Sequence, residues 1–188
     1  MIKNMIMVGL SGSGKSAVGK SLAWMMSCGH IDLDHLIEKH EKISVAEFFA
    51  QHGEESFRKV EDRTLQRLRK VENHVLSLGA GSLQSQRTLD LVKSLGMVVW
   101  LDVPPSILAK RLSKNKEELK RRPLLADLSP EQLEKKLQEM LIERRRGYEE
   151  SDLVLSESYA SAQHCALFLK NMWLYRSALI YREKTLSL

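Results

Sequence analysis

The feature that most constrains the fold of this chain is a glycine-rich loop close to its first residue. Residues 9–16 read GLSGSGKS and match the pattern G-x-x-x-x-G-K-[ST] at every fixed position. An apolar run at residues 5–8 precedes the loop, and a helical pattern at residues 16–26 follows it. This order of strand, loop and helix is the context in which the pattern forms a phosphate-binding loop.

The residue types of the loop suit a nucleoside triphosphate carried with Mg²⁺. Glycines let the backbone curl until successive N–H groups converge on phosphate oxygens, and the helix that follows offers its N-terminus to the same anion. Lys15 can reach the β- and γ-phosphates, and the Ser16 hydroxyl can bind Mg²⁺. We therefore predict ATP and Mg²⁺ as cofactors, with the phosphates held by Gly12, Ser13, Gly14, Lys15, Ser16 and Ala17.

Short apolar runs alternate with longer helical patterns along the rest of the chain. Strands are predicted near Ile31 and at residues 5–8, 74–78, 97–103 and 153–155. Helices are predicted at residues 16–26, 34–40, 45–52, 54–70, 85–94, 106–114, 130–148 and about 160–175. The alternation predicts an α/β fold, a three-layer, doubly wound parallel sheet of about five strands. Because we find neither repeats nor linkers, we expect residues 1–188 to form a single domain.

One segment does not fit the alternation. Residues 113–127 are charged, show little helical periodicity and contain Pro123. We therefore expect a mobile loop there.

The net charge of +5 is concentrated in one part of the sequence. Residues 110–146 hold twelve Lys or Arg and seven Asp or Glu, so the remainder of the chain is balanced. Such an excess is typical of nucleic-acid binding, of a site that handles several anionic groups, or of a solvated helix face. Charge alone leaves these interpretations open.

Cysteine content and hydropathy indicate the cellular compartment in which the chain is expected. Cys28 and Cys165 are the only cysteines, and they form neither a disulfide framework nor a metal-binding spacing. The apolar stretch at residues 166–181 is interrupted by polar and basic residues, so we expect no membrane-spanning segment. We predict a cytoplasmic protein.

A carboxylate pair follows the second predicted strand. Asp32 and Asp34 lie where the carboxyl end of that strand would face the ligand crevice. One carboxylate could hold Mg²⁺ or its water, and the other could accept a hydrogen bond from a substrate hydroxyl. Alternatively, Asp34 could simply be the N-cap of the next helix. The flanking His30 and His35 fit no zinc spacing, so we interpret both as surface residues.

Together with the loop, motifs further along the chain resemble those of the shikimate kinase family. They are Asp32-Leu33-Asp34, the stretch GEESFR at residues 53–58 with Glu61, Gly79-Ala80-Gly81, Arg122-Pro123-Leu124-Leu125, and Arg144 four residues before Tyr148. These matches run in the family's order from residue 5 to about residue 155. The phosphate loop alone indicates only that the chain binds a nucleoside triphosphate. The later motifs indicate which family of phosphate-loop proteins the chain resembles.

The resemblance implies that ATP phosphorylates the 3-hydroxyl of shikimate, giving shikimate 3-phosphate and ADP. It assigns Asp34 to the substrate hydroxyls, and Arg58 and Arg144 to the substrate carboxylate. It also implies that the backbone touches the substrate ring at Gly79, Ala80 and Gly81. The residue chemistry agrees, because planar guanidinium groups bind a carboxylate through paired hydrogen bonds.

The resemblance further makes residues 113–127 a lid. It implies that Arg122 comes from this lid onto the transferring phosphate and that Arg111 packs against adenine. Phosphoryl transfer needs alignment and positive charge more than covalent help, so we expect Lys15, Asp34 and Arg122 to be the catalytic residues. Ser16 and Asp32 are then the predicted metal ligands.

The sequence departs from the family pattern in three places. Ala80 replaces a glycine, which puts close backbone approach to a ligand in question there. Residues 156–161 read SESYAS where the family has Arg or Asn followed by Pro, so no adenine contact is predicted from them. Residues 172–188 form a C-terminal extension past the usual end, which could pack as a helix, fray or meet a partner.

Two further expectations concern single side chains. Because Arg145 and Arg146 adjoin Arg144, we expect at least two of these three arginines to face solvent. The large indoles are expected in the core rather than in the site, namely Trp24, Trp100 and Trp173.

Two other functions compete with shikimate phosphorylation. Another small-metabolite kinase of this class, for gluconate or a nucleoside, would also need the phosphate loop. Arg58 and Arg144 together favour a carboxylate-bearing substrate, which argues against nucleosides but not against gluconate. A non-catalytic nucleotide switch or nucleic-acid module would use the basic segment, but the combination of Lys15, Ser16 and the two aspartates argues against it. We therefore expect shikimate and ATP as partners of a monomer that binds neither nucleic acid nor membrane.

Overall fold

A parallel sheet of five strands organises the chain. The computed structural model describes residues 3–156 and 161–186, with side chains described for all of these except residues 116, 118 and 178–186. The strands run in the order β2-β3-β1-β4-β5 and all pairs are parallel. Their bounds are β1 Asn4–Val8, β2 Gly29–Asp32, β3 His74–Ser77, β4 Met97–Asp102 and β5 Leu153–Ser156. The predicted strands are confirmed.

Helices connect successive strands and follow the last one. They are α1 Lys15–Met26, α2 Leu33–Glu41, α3 Val45–Arg67, α4 Gln86–Leu95, α5 Pro105–Ser113, α6 Lys116–Lys120, α7 Pro130–Glu149 and α8 Ala162–Leu186. A short 3₁₀ turn at Leu68–Lys70 ends α3. Capping boxes at Ser44 and Ser129 fix the starts of α3 and α7, because each serine accepts a hydrogen bond from the backbone N–H three residues on.

The two faces of the sheet bury separate cores. Along β1, Ile6 and Val8 point into a core with the helices from α2 to α7, while Met5 and Met7 point into a core with α1 and α8. This alternation follows from the two-residue period of a strand, and every residue of β1 is buried. The predicted three-layer, doubly wound α/β fold is confirmed.

The predicted break between two helices at residues 52–54 is also present. Gly53 lies inside α3 with φ of 75° and ψ of 171°, so the helix kinks there. Only glycine adopts this conformation without strain, which explains why the chain bends at this position. The kink separates the part of α3 near α2 from the part that carries Arg58.

Residues 113–127, predicted as a loop, are partly helical. The short helix α6 lies within them. Leu119 and Leu125 are buried in the larger core and anchor the segment to it. Two apolar anchors spaced six residues apart give no helical period, which explains why the sequence pattern indicated a loop.

The expectation for Trp24 was wrong, whereas those for Trp100 and Trp173 are confirmed. Trp24 is 81% exposed, and the other two indoles are 4% exposed. Helix α1 directs Leu22 and the other apolar side chains of that face towards the sheet, which leaves Trp24 on the solvent side.

The two histidines flanking the carboxylate pair, His30 and His35, differ in their exposure to solvent. His35 is exposed, as expected, but His30 is only partly exposed, so its interpretation as a surface residue was wrong. The Nε2 atom of His30 lies 3.0 Å from the Ser77 hydroxyl oxygen. The same ring sits against Gly19, where a β-carbon would be 2.8 Å from Nε2. The glycine in α1 therefore makes room for the histidine.

The C-terminal extension continues the last helix. Helix α8 runs without interruption from Ala162 to Leu186, so residues 172–186 are helical. Trp173 is the last described side chain that joins the core between α1 and α8. Among the described residues, no helix is both long and apolar enough to cross a membrane.

Candidate active site

The phosphate loop joins β1 to α1 at the carboxyl edge of the sheet. Gly12 has φ of 82° and Gly14 has φ of 95°, both in the left-handed region that glycine favours. Gly14 is the N-cap of α1, so the free N–H groups of the first helical turn open onto the loop. This arrangement forms an anion-binding cradle of the predicted kind, built from residues 9–16.

The Lys15 ammonium group folds back over the loop. Its Nζ atom donates hydrogen bonds to the carbonyl oxygens of Gly9 at 2.9 Å and Leu10 at 3.0 Å. Burial and, to a smaller extent, the positive charge of Arg122 lower the pKa of Lys15 to about 8. A negatively charged ligand at the loop would favour the protonated form of Lys15.

Ser16 and Asp32 place two side-chain oxygens next to this loop. The Ser16 hydroxyl donates a hydrogen bond to Oδ2 of Asp32. The Oδ1 atom of the same carboxylate accepts a hydrogen bond from the His35 N–H at 3.3 Å, which makes Asp32 the N-cap of α2. The alternative role considered for Asp34, that of N-cap, therefore belongs to Asp32. A serine hydroxyl beside a carboxylate is a ligand pair that Mg²⁺ accepts.

Asp34 lies in the first turn of α2 and faces a cavity. Burial raises the pKa of its carboxyl group to about 6, and the negative charges of Glu61 and Asp32 raise it in the same direction. A β-carbon at Gly79 would lie 2.9 Å from both Oδ1 of Asp34 and Oε1 of Glu61. Gly79 therefore allows two carboxylates to converge on the same space.

The cavity that Asp34 faces gathers all of the predicted substrate residues. One wall is apolar and includes Val45, Phe49 and Phe57. The remaining lining includes four charged side chains and the backbone of the turn after β3, namely Asp34, Arg58, Arg122, Arg144 and residues 79–81. The structure thus brings together groups from α2, α3, the turn after β3, the segment of residues 113–127 and α7.

Arg58 is held in place by acidic residues of its own helix. Its Nη1 donates to Glu61 at 2.8 Å and its Nη2 donates to Glu54 at 2.7 Å. The guanidinium group lies over Gly81, where a β-carbon would be 2.2 Å from Nη2. Glu61 in turn accepts a hydrogen bond from the Ser82 hydroxyl at 2.5 Å. Arg58 is therefore oriented before any ligand arrives.

Arg144 differs, because part of its hydrogen-bonding capacity is unused. It is 4% exposed, and its buried Nε and Nη1 atoms have no hydrogen-bond partner among the described residues. Its neighbours Arg145 and Arg146 are exposed, as expected for two of the three arginines. A buried cation with unpaired donors is costly unless an anion joins it, so the cavity is suited to an acidic ligand.

The segment of residues 113–127 contacts the phosphate loop. Nη1 of Arg122 donates a hydrogen bond to the Ser11 hydroxyl at 3.0 Å, and Ser11 belongs to the loop. The next residue, Pro123, lines the cavity together with Leu124 and Leu125. Arg122 thus contacts the loop and lines the cavity.

A second cavity lies on the other side of the loop. Ser13, Gly14 and Arg111 line it, so Arg111 lies near the phosphate loop as its predicted contact with adenine requires. Ser156 and Ser161 also form part of the wall, although no adenine contact was predicted from residues 156–161. Residues 157–160 of that stretch lie outside the described part of the chain.

Sequence reasoning assigned no role to four residues that complete this site. Glu61 was visible in the GEESFR motif, and Tyr148 was visible by its distance from Arg144. Ser11 and Ser82 had no sequence signal, because their partners lie far along the chain: Arg122 is 111 residues from Ser11, and Glu61 is 21 residues from Ser82.

The phosphate loop and the parallel sheet place the chain among P-loop proteins. The cavity beside the loop, lined by Asp34, Arg58 and Arg144, is suited to a small acidic metabolite.

Comparisons with known proteins give the family. The family model described as shikimate kinase matches residues 11–172. The chain is 34% identical over 165 residues to a shikimate kinase from Caldanaerobacter subterraneus subsp. tengcongensis, covering 88% of this chain and 92% of that relative. It is 41% identical over 154 residues to a shikimate kinase from Chlorobium chlorochromatii, covering 79% of each. The chain belongs to the shikimate kinase family.

The fold agrees with solved structures. A shikimate kinase from Acinetobacter baumannii in complex with shikimate superposes with a TM-score of 0.84. The two sequences are 28% identical, and the match covers 94% of this chain and 95% of the other.

Proposed function

We propose that this chain transfers the terminal phosphoryl group of ATP to the 3-hydroxyl of shikimate, giving shikimate 3-phosphate and ADP. Family membership supports the activity, and the relative from A. baumannii is in complex with shikimate itself. Within this chain, the observation that carries the proposal is Arg144, a buried cation with unpaired donors in the same cavity as Asp34. Such a cavity suits an alcohol that also bears a carboxylate.

In this proposal, the two arginines bind the carboxylate of shikimate. Arg144 supplies its unpaired donors, and Arg58 supplies a guanidinium group that Glu61 and Glu54 have already oriented. The apolar wall formed by Val45, Phe49 and Phe57 packs against the carbon ring. The carboxylate end therefore fixes which hydroxyl points towards the phosphate loop.

Asp34 orients the attacking hydroxyl. Its carboxylate accepts the hydroxyl hydrogen, and its raised pKa of about 6 suits it to take the proton as the phosphoryl group moves. The proton then leaves the substrate oxygen as the new oxygen–phosphorus bond forms and the bond to ADP breaks. The choice of Asp34 is supported by its place in the lining of the cavity, whereas Asp32 accepts a hydrogen bond from Ser16.

The cations on the loop side stabilise the transferring phosphoryl group. Lys15 exchanges its backbone carbonyl partners for phosphate oxygens, and Arg122 turns from Ser11 to the same group. Ser16 and Asp32 would hold Mg²⁺, which when bound neutralises charge on the phosphates. Closure of residues 113–127 as a lid excludes water, and Arg111 packs against adenine in the second cavity. We further propose a cytoplasmic monomer.

The test is phosphoryl-acceptor specificity. ADP release is measured with a coupled assay using shikimate, quinate, gluconate and nucleosides in turn, with ATP and Mg²⁺ constant. We expect shikimate to give the highest kcat/KM of these acceptors, and to exceed the nucleosides by at least about a hundredfold, because an unpaired buried arginine penalises ligands that lack a carboxylate. Best turnover of any other acceptor would contradict the proposal.

A further inference from the structure

A hydrogen-bonded contact connects α7 to the turn after β3. Tyr148 is 1% exposed, and its hydroxyl donates a hydrogen bond to the carbonyl oxygen of Ala80 at 2.5 Å. Its ring stacks on Trp100 with centroids 5.5 Å apart and an interplanar angle of 28°. Burial raises the pKa of Tyr148 to about 12, so the hydroxyl keeps its proton and remains a donor near neutral pH.

The positive charge of Arg144, which lies one helical turn earlier on α7, also acts on this hydroxyl group and lowers its pKa against the effect of burial. A phenol can accept and donate at once, so a hydroxyl that donates to the Ala80 carbonyl keeps its lone pairs for the guanidinium group. The Nε and Nη1 atoms of Arg144 have no hydrogen-bond partner among the described residues.

The contact with Ala80 also orients the next peptide unit. Because the Ala80–Gly81 peptide is planar and trans, the Gly81 N–H points in the direction opposite to the Ala80 carbonyl, away from Tyr148. Ala80, Gly81 and Arg144 all line the cavity. The other side of Gly81 is covered by the Arg58 guanidinium group.

We infer that Tyr148 is a positioning residue for recognition of the substrate carboxylate: its hydroxyl aligns the Arg144 guanidinium group and the Gly81 N–H towards the same anion. Tyr148 acts through these two groups and does not itself touch the substrate. The inference rests on the proposed function, because it concerns the acid-binding end of that cavity. It explains why a tyrosine, rather than an apolar ring of similar size, occupies a buried position on α7.

The variant Tyr148→Phe tests the inference, because it removes one oxygen and keeps the ring that stacks on Trp100. Wild-type turnover of shikimate, measured first, tests the proposed function separately. For Tyr148→Phe we expect the KM for shikimate to rise about tenfold, the cost of one misaligned charged contact. The KM for ATP should change less than twofold. The preference for shikimate over its uncharged methyl ester should shrink by a similar factor.

Two further variants complete the design. Tyr175→Phe makes the same chemical change at a side chain that is 63% exposed on α8, and it should leave both KM values unchanged. Replacing Tyr148 with 4-aminophenylalanine keeps a ring and an N–H donor, so it should recover most of the affinity for shikimate. It also keeps the experiment decisive if Tyr148→Phe does not fold.

Three outcomes would overturn the inference. One is an unchanged KM for shikimate in Tyr148→Phe. Another is an equal rise of both KM values, which would indicate a general loss of structure. The third is a 4-aminophenylalanine variant that folds as the wild type does and yet binds shikimate as weakly as Tyr148→Phe.

Discussion

At the scale of single residues, the two cations of the acid-binding end are held in different ways. Arg58 is paired with Glu54 and Glu61, whereas Arg144 makes no salt bridge with any described residue and keeps two buried donors unpaired. Arg58 is thus positioned by charge and Arg144 by packing and by Tyr148. A carboxylate ligand would complete the hydrogen bonding of Arg144, while it would share Arg58 with carboxylates already present.

The Asp34 carboxyl group affects the stability of the fold as well as the proposed activity. The pKa of Asp34 is raised from 3.8 to about 6 in the folded chain, so the folded state binds this proton more tightly than the unfolded state does. This stabilising contribution is full below about pH 4 and is lost as the pH rises through about 6. Above that range the ionised Asp34 lowers the free energy of unfolding.

We therefore predict that Asp34→Asn stabilises the fold while it removes activity. At pH 8 the free energy of unfolding should increase by about 1–2 kcal/mol, and near pH 4 the difference should vanish. Turnover should fall at least about a hundredfold. Urea denaturation at both pH values measures the first effect, with Asp90→Asn on the exposed side of α4 as the control. Lower stability than the wild type at pH 8 would show that the fold favours the charged form.

At the scale of elements, helix α7 carries the acid-binding end as one unit. Arg144 and Tyr148 project from it, and Gly147 lies between them against the turn after β3. A β-carbon at Gly147 would be 2.3 Å from the backbone carbonyl oxygen of Leu83. The close approach of helix and turn therefore depends on the missing side chain.

This contact makes Gly147→Ala a test of how α7 is docked. Alanine is favoured over glycine within a helix by about 1 kcal/mol, but the clash with a backbone carbonyl costs about 1–3 kcal/mol, so net destabilisation is expected. Because the helix must shift, the KM for shikimate should rise as well, while the KM for ATP changes little. Glu143→Ala, at an exposed position of the same helix, is the matched control in thermal denaturation and kinetics. A stabilised Gly147→Ala variant with normal kinetics would mean that α7 has room to move.

The sequence could predict those helices, strands and loops whose residue pattern depends on positions close by in the sequence. The five strands, the phosphate loop and the break at Gly53 all follow from local apolar runs and glycines. Helix α6 was missed because Leu119 and Leu125 are buried by contacts with distant elements. Trp24 was misplaced because size and apolarity do not reveal which side of α1 a residue occupies. In the site, motif residues were predicted, whereas Ser82 and Ser11 depend on contacts that only the folded chain creates.

At the scale of the whole molecule, α8 reaches past the core that it helps to form. Trp173 is the last of its described side chains in that core, and the family model ends at residue 172. The exposed Leu174 and Tyr175 follow immediately. The described core contacts of the helix therefore lie in its first half.

We predict that a chain ending at Ser177 keeps its stability and activity. Its melting temperature should fall by less than about 3 °C, since all the described side chains of the core are kept. In contrast, Trp173→Ala should cost about 3–5 kcal/mol, the effect of emptying a buried indole site. Differential scanning calorimetry of both proteins, with shikimate turnover alongside, makes the comparison. Equal losses in the two would mean that residues 178–188 contribute to the fold as strongly as Trp173 does.

The hydrogen-bond partners of Lys15 and Arg122 in the absence of nucleotide affect how readily the enzyme binds nucleotide. Lys15 rests on the uncharged carbonyl groups of Gly9 and Leu10, and one guanidinium nitrogen of Arg122 rests on the uncharged hydroxyl of Ser11. For Lys15, the exchange replaces carbonyl dipoles with a full negative charge, and no ion pair of Lys15 among the described residues has to be separated. An arriving triphosphate thus displaces only weak contacts of the Lys15 ammonium group.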